Sequence, residues 1–148
     1  MAIKKSNITG GHHRRQMSSP VTANVPTIML IEHTFSEAVG SGDILELCYL
    51  PPYCRVLDAE VMTVGTGATT FDIGFMSGAP DSDDPARTSG DELFDGATPT
   101  TAARAAISDL VGLGKQDTAR SIGVKPSANV AASATTKLYL KLTYATGS

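Results

Sequence analysis

Strict alternation of apolar and polar positions is the strongest signal along the chain. Between Thr136 and Tyr144 (TKLYLKLTY), Leu138, Leu140, Leu142 and Tyr144 fall on one side, while Lys137, Tyr139, Lys141 and Thr143 fall on the other. A period of two predicts a strand that packs on one face only. Thr70 to Phe75 (TFDIGF) alternates likewise, with Phe71, Ile73 and Phe75 opposite Thr70, Asp72 and Gly74. Four further β-rich runs are Thr27 to Phe35 (TIMLIEHTF), Asp43 to Leu50 (DILELCYL), Arg55 to Val64 (RVLDAEVMTV) and Ser121 to Lys125 (SIGVK). Pro26 opens the first of these, Pro51-Pro52 stops the second and Gly65-Thr66-Gly67 ends the third. Proline cannot donate to a central ladder, so it bounds strands of this kind.

One segment departs from the β pattern. Thr98-Pro99, followed by TTAARAAISDLVGLG, reads as a helix N-cap with proline at the first helical position. Ala103, Ile107, Leu110 and Val111 would then share a helical face, with Gly112 and Gly114 ending it. Ser77 to Gly90 (SGAPDSDDPARTSG) is a long polar loop. There is no internal repeat and no alternation of strand with helix. The expected architecture is therefore all-β: an antiparallel β-sandwich, jelly-roll-like, over residues 26–148, with one short helix and an extended N-terminal arm over residues 1–25.

Composition narrows the classes. A chain of 148 residues closes one core without metals or disulfides. No apolar run approaches the roughly 20 residues of a membrane span. Met1-Ala2-Ile3-Lys4-Lys5 is followed by polar residues, which does not read as a secretory leader. Cys48 and Cys54 are too few for a disulfide scaffold and sit in or beside apolar stretches, as two reduced thiols would.

Charge is distributed unevenly. Of the 12 basic residues, Lys4, Lys5, Arg14 and Arg15 lie in the arm, which has no acid, and the rest of the chain carries all 15 acidic residues. Asp72 to Asp95 alone holds seven acids and a single base, Arg87. The net charge of −3 excludes a general nucleic-acid coat, although four cations in an arm would make any contact with DNA salt-dependent. The arm has too few large apolar groups to offset its ordering entropy. Its ordering is expected to come from a neighbouring subunit, with packing on its own body as the alternative.

The chemistry-bearing residues form no catalytic set. His12-His13 lies beside Arg14 and Arg15 without a nearby Cys or carboxylate, which reads as a solvated basic segment. His33, inside a strand, reads as structural or surface-exposed. Asp81, Asp83 and Asp84, with Asp91, Glu92 and Asp95, form an acidic loop that lacks the EF-hand spacing, so solvation or a basic partner is expected before calcium. No G-x-S-x-G, H-E-x-x-H or C-x-x-C occurs. No enzyme, cofactor or metal site is expected. A small β body with an arm describes part of an assembly, where strand edges are covered by neighbours.

The order CRVLDAEVMTVG, TTFDIGFMSG, a polar loop, DELFDGATP and a strand ending KLYLKLTYAT resembles the cement, or decoration, proteins of tailed-bacteriophage heads. The likeness spans Asp43 to Thr146 and lies in the order and texture of the segments. It implies a β-sandwich bound to the outer surface of the major capsid shell at capsomer junctions, as a homodimer or homotrimer that stabilises the shell. The expected location is the virion, after synthesis in the host cytoplasm. Lys4, Lys5, Arg14 and Arg15 are the candidate contacts of the arm, and Lys137, Tyr139 and Lys141 the candidate self-association face. Another phage structural component (a head fibre base, head–tail joining or tail protein) is the alternative. A ligand-binding or enzymatic jelly roll would need aromatics or a His–carboxylate cluster on a concave face, and this chain has 5% aromatics and no Trp.

Overall fold

The computed structural model describes residues 1–6 and 25–146. Its strands are β1 (Ile3–Lys5), β2 (Thr27–Thr34), β3 (Ile44–Leu50), β4 (Cys54–Val64), β5 (Phe71–Phe75), β6 (Phe94–Ala97), β7 (Ala103–Arg104), β8 (Arg120–Pro126) and β9 (Lys137–Thr146), with one short helix, α1 (Ile107–Leu110), between β7 and β8. They form two sheets, ordered β1-β3-β8-β5-β6 and β2-β9-β4-β7. The all-β sandwich is as expected.

The connectivity is that of a rolled hairpin. In sequence order, β2 pairs with β9, β3 with β8, β4 with β7 and β5 with β6, all antiparallel. Each of the first four of these eight strands thus finds its partner counting back from the C-terminal end, and alternate pairs fall in opposite sheets. This is the eight-strand jelly roll. β1 stands outside it, added in parallel to the free edge of β3.

Strand β9 is the spine of the smaller sheet. Leu138, Leu140, Leu142 and Tyr144 are each fully buried, as their alternation predicts. Burial stabilises by about 1.5–3 kcal/mol for each such side chain. They register with Val56, Ala59, Val61 and Thr63 of β4 and with Ile31 and His33 of β2, which face the same core. The second layer supplies Leu45, Cys48, Ile73, Ile122 and Val124. Both cysteines are free and buried; burial raises the Cys54 thiol above its ordinary range, and that of Cys48 too.

The one short helix is present but is shorter than expected, and its N-terminal half is a correction. Ala103 lies in β7, where Ala103 and Arg104 pair with Val61 and Glu60 of β4. Arg104 Nε and Nη2 donate to the two carboxylate oxygens of Asp58 at 3.1 and 2.9 Å. Pairing with an open sheet edge outweighs local helical preference here. Thr98-Pro99 forms a turn instead of a cap, with the Pro99 carbonyl accepting from the Thr63 amide at 2.7 Å. Of the expected apolar helical face only Leu110 is buried; Ile107 and Val111 are exposed.

A row of registered residues crosses the outer face of the larger sheet: Lys5, Glu46, Gly123 and Gly74, on β1, β3, β8 and β5. The two glycines leave a flat floor on which the segment after Arg87 lies. A Cβ at Gly74 would stand 2.6 Å from the Gly90 carbonyl carbon and 2.7 Å from the Asp91 nitrogen, and one at Gly123 would stand 2.6 Å from Met76 Cγ. Gly74→Ala should therefore lower the free energy of unfolding by about 1–3 kcal/mol. Gly114→Ala, with nothing within 4 Å of the new methyl, is the control. Urea denaturation reads both, and equal midpoints would mean that the loop does not rest on the sheet.

Candidate functional site

Two outer faces bound the sandwich, and they are finished differently. On the larger sheet, Glu46 is fully buried, in the apolar run of β3. Arg87, also buried, donates Nη2 to Glu46 Oε1 at 3.0 Å and Nη1 to Oε2 at 3.1 Å. Ser121 Oγ donates to Oε1 at 2.6 Å and the Asp81 amide donates to the same oxygen at 2.8 Å. Lys5 Nζ reaches Oε2 from β1. Arg87 further donates to the carbonyls of Ser77 and Ser82, at 2.8 Å each. Arg87, the lone base among seven acids, thus pins the polar loop across the sheet, and Glu46 is where it is pinned.

Burial alone would raise the Glu46 carboxyl. Hydrogen bonds from Arg87, Lys5, Ser121 and the Asp81 amide outweigh it and push the group down to about 2. His33 shows the opposite case. It faces the core edge-on to Phe35, with ring centroids 5.0 Å apart, and burial pushes its imidazole down to about 4.

Among the described residues, no comparable pinned loop crosses the outer face of the smaller sheet. Ile28, Leu30 and Glu32 of β2 register with Thr143, Lys141 and Tyr139 of β9, which register in turn with Asp58, Glu60 and Met62 of β4. Ile28 and Leu30 are 66% and 69% exposed, and Val64 and the bulged Leu57 are also exposed. Six charges on this face are paired: Lys137 with Glu32 at 2.8 Å, Lys141 with Glu60 at 3.7 Å and Arg104 with Asp58 at 2.9 Å. Between those pairs the exposed surface is partly apolar. β2 is moreover an edge strand.

Lys137, Tyr139 and Lys141 therefore lie together, outward, on β9 at the middle of this face. The apolar half of the face, Ile28 and Leu30, was missed, although the alternation in TIMLIEHTF carries it. Lys4 and Lys5 stand in β1: Lys4 pairs with Glu37 at 2.7 Å and Lys5 with Glu46. His12, His13, Arg14 and Arg15 lie outside the described residues. Asp91, Glu92, Asp95 and Asp109 line an open depression of about 340 Å³. Among the described residues no group of three or more His, Cys, Asp or Glu side chains is placed to hold a metal ion, and no helix among them is long and apolar enough to cross a membrane.

Across 99% of both chains, this structure superimposes on a chain in the capsid of Ralstonia phage GP4, with 32% sequence identity and a TM-score of 0.86. The chain belongs to the same family as that phage capsid protein. The capsid protein shares its fold with two more distant structures. A chain of the cyanophage Pam1 capsid asymmetric unit matches at TM-score 0.59 and 17% identity, over 93% of this chain and 98% of that one. A chain of the acid-stable capsid of Helicobacter pylori bacteriophage KHP30 matches at 0.50 and 15%, over 86% and 92%. No family model and no curated protein sequence matches. This capsid protein is a structural component of the virion.

Its stability should fall with acid in two stages. His33 binds a proton more weakly folded than unfolded, so its contribution is complete above about 6.5 and is lost as the pH falls towards 4. Glu46 is depressed the other way, so its contribution is complete above about 4.5 and is lost towards 2. Each stage is worth on the order of 3 kcal/mol. Urea midpoints measured from pH 7 to pH 2 should show both, and His33→Leu should flatten the upper stage alone. An unchanged slope in that variant would remove His33 as the cause.

Proposed function

We propose that this chain is a capsid decoration, or cement, protein: a homo-oligomer seated on the outer surface of the major capsid shell at capsomer junctions, where it holds the shell together and catalyses nothing. The observation that carries this reading is the asymmetry of the two outer faces. The chain covers the outer face of its larger sheet with its own loop, and leaves Ile28, Leu30, Leu57 and Val64 open on the other. A protein that walls a shell must meet neighbours on all its sides. One that sits upon a finished shell needs a face for its own copies and a few contacts with the lattice below.

In this reading the face around Lys137, Tyr139 and Lys141 takes a second copy. Lys137, Lys141 and Arg104 are already paired within the sheet, so association would remove apolar surface from water without stripping those ions of their partners. Arg14 and Arg15 are the handles for acidic capsid surface. Binding to the assembled lattice and not to free subunits stabilises the assembled state by mass action. Many copies, each with a modest interface, add through multivalency.

Light scattering should give a dimer or trimer for the unaltered chain, and Ile28→Asp with Leu30→Asp should weaken that association, so that the mean mass falls further on dilution. The same double variant should lower retention on purified capsids by about tenfold or more, equivalent to about 1.4 kcal/mol, and lower the temperature at which the shells rupture. Arg14→Ala with Arg15→Ala should weaken retention most at low salt, where screening is least. A chain that ignores capsid faces and labels only the head–tail junction would be a joining component instead.

A further inference from the structure

We infer that the edge of β3 is a strand-exchange slot, and that in the assembled protein it takes residues 1–6 of a second copy of this chain. The inference rests on the reading that the protein self-associates, and it names the segment that is traded.

The slot is built along its whole length for one short peptide. Main-chain pairing begins where the Ile44 amide donates to the Ala2 carbonyl at 3.1 Å and ends where the Ser6 amide donates to the Glu46 carbonyl at 2.9 Å. Side chains on the slot mark each end and the middle. Asp43 Oδ1 accepts from the Ala2 amide at 3.0 Å, Glu37 pairs with Lys4 at 2.7 Å and buried Glu46 holds Lys5. Lys5 also donates to the Ser82 carbonyl at 3.1 Å, beneath the pinned loop, and Ser6 Oγ donates to the Leu47 carbonyl.

Among the described residues, nothing in the rest of the fold requires that this peptide come from the same chain. The jelly roll is closed by β2 to β9, each with its own antiparallel partner, and β1 pairs with β3 alone. A strand added in parallel at a sheet edge is the geometry by which one chain augments another's sheet. The chain between Ser6 and Val25 is 18 residues long, enough to span at most roughly 60 Å. A domain of this size has a radius of gyration of about 15 Å, so the same six residues reach a slot on an adjacent body. Exchange of an identical element makes the same contacts in either arrangement, which makes it a low-cost route to an oligomer. Neighbours fixed in a shell hold one another's slots at high effective concentration.

Ile3 and Ile44 face each other in register, at the strand spacing of about 4.8 Å that a disulfide bridges. Two full-length chains, one carrying Ile3→Cys and the other Ile44→Cys, would be co-expressed with different tags, oxidised with oxidised glutathione and run without reductant. A disulfide dimer carrying both tags is the expected result. A chain carrying both substitutions that closes on itself, while the co-expressed single variants stay unlinked, would overturn the proposal. Should Ile44→Cys not fold, Lys4→Cys and Glu37→Cys bridged by a short bismaleimide test the same contact at the surface. Light scattering of the unaltered chain separates the two failures. An oligomer without the mixed cross-link removes strand exchange alone, and a monomer without it removes self-association as well.

Discussion

Three separate stretches of chain meet at one carboxylate that has no access to solvent. Glu46 receives Lys5 from β1, Arg87 and the Asp81 amide from the long polar loop, and Ser121 from β8. Removing a carboxylate and its cations from water costs several kcal/mol per ion before they attract one another, so such a knot survives only with its donors in place. Glu46→Gln would leave Arg87 buried against a neutral amide, the costly case of a charge without its counter-charge. The knot is thus a specifier of position. It fixes where the loop crosses the sheet, and through Lys5 it fixes where the first strand ends.

That fixed loop gives the sandwich its two unlike faces. Gly123 and Gly74 continue the row begun by Lys5 and Glu46, and their missing side chains are where the segment at Gly90 and Asp91 lies down. With its outer face covered, β3 is buried on both sides except at Tyr49. On the smaller sheet the outward Lys137, Lys141 and Arg104 pair across strands with Glu32, Glu60 and Asp58. Those pairs leave Ile28 and Leu30 as the most exposed apolar groups of the face. Apolar residues exposed on an edge strand are what a second copy would cover in the proposed assembly.

What the sequence made legible follows from range. The alternation in TKLYLKLTY is a local property, and it set both the buried row of β9 and the outward row of Lys137, Tyr139 and Lys141. The strands Ile44–Leu50, Cys54–Val64 and Phe71–Phe75 were bounded by the prolines and glycines beside them. What escaped depends on partners distant in sequence. Ala103 and Arg104 carry helical preference and became a strand because β4 offered an edge and Asp58 a carboxylate. Glu46 looks like a flaw in an apolar run, and it is explained by partners between 35 and 75 positions away, Arg87 chief among them. The clue lay in pairing two oddities, one acid in a core strand and one base in an acidic loop. Lys4 and Lys5 read as arm because short edge strands carry almost no pattern of their own.

The two proposed association devices lie on different sheets, and that separation would have a consequence for assembly. The strand slot belongs to the larger sheet and the exposed apolar face to the smaller, so both could be engaged in one copy without competing for the same residues. An exchanged strand would tie copies through main-chain pairing and a buried ion pair, contacts little screened by salt. The apolar face would tie them through buried area, an attraction that weakens on cooling. A protein that held a shell by one device alone would fail under one condition. With the two combined, loss of apolar attraction in the cold would leave the strand in its slot and the copies joined.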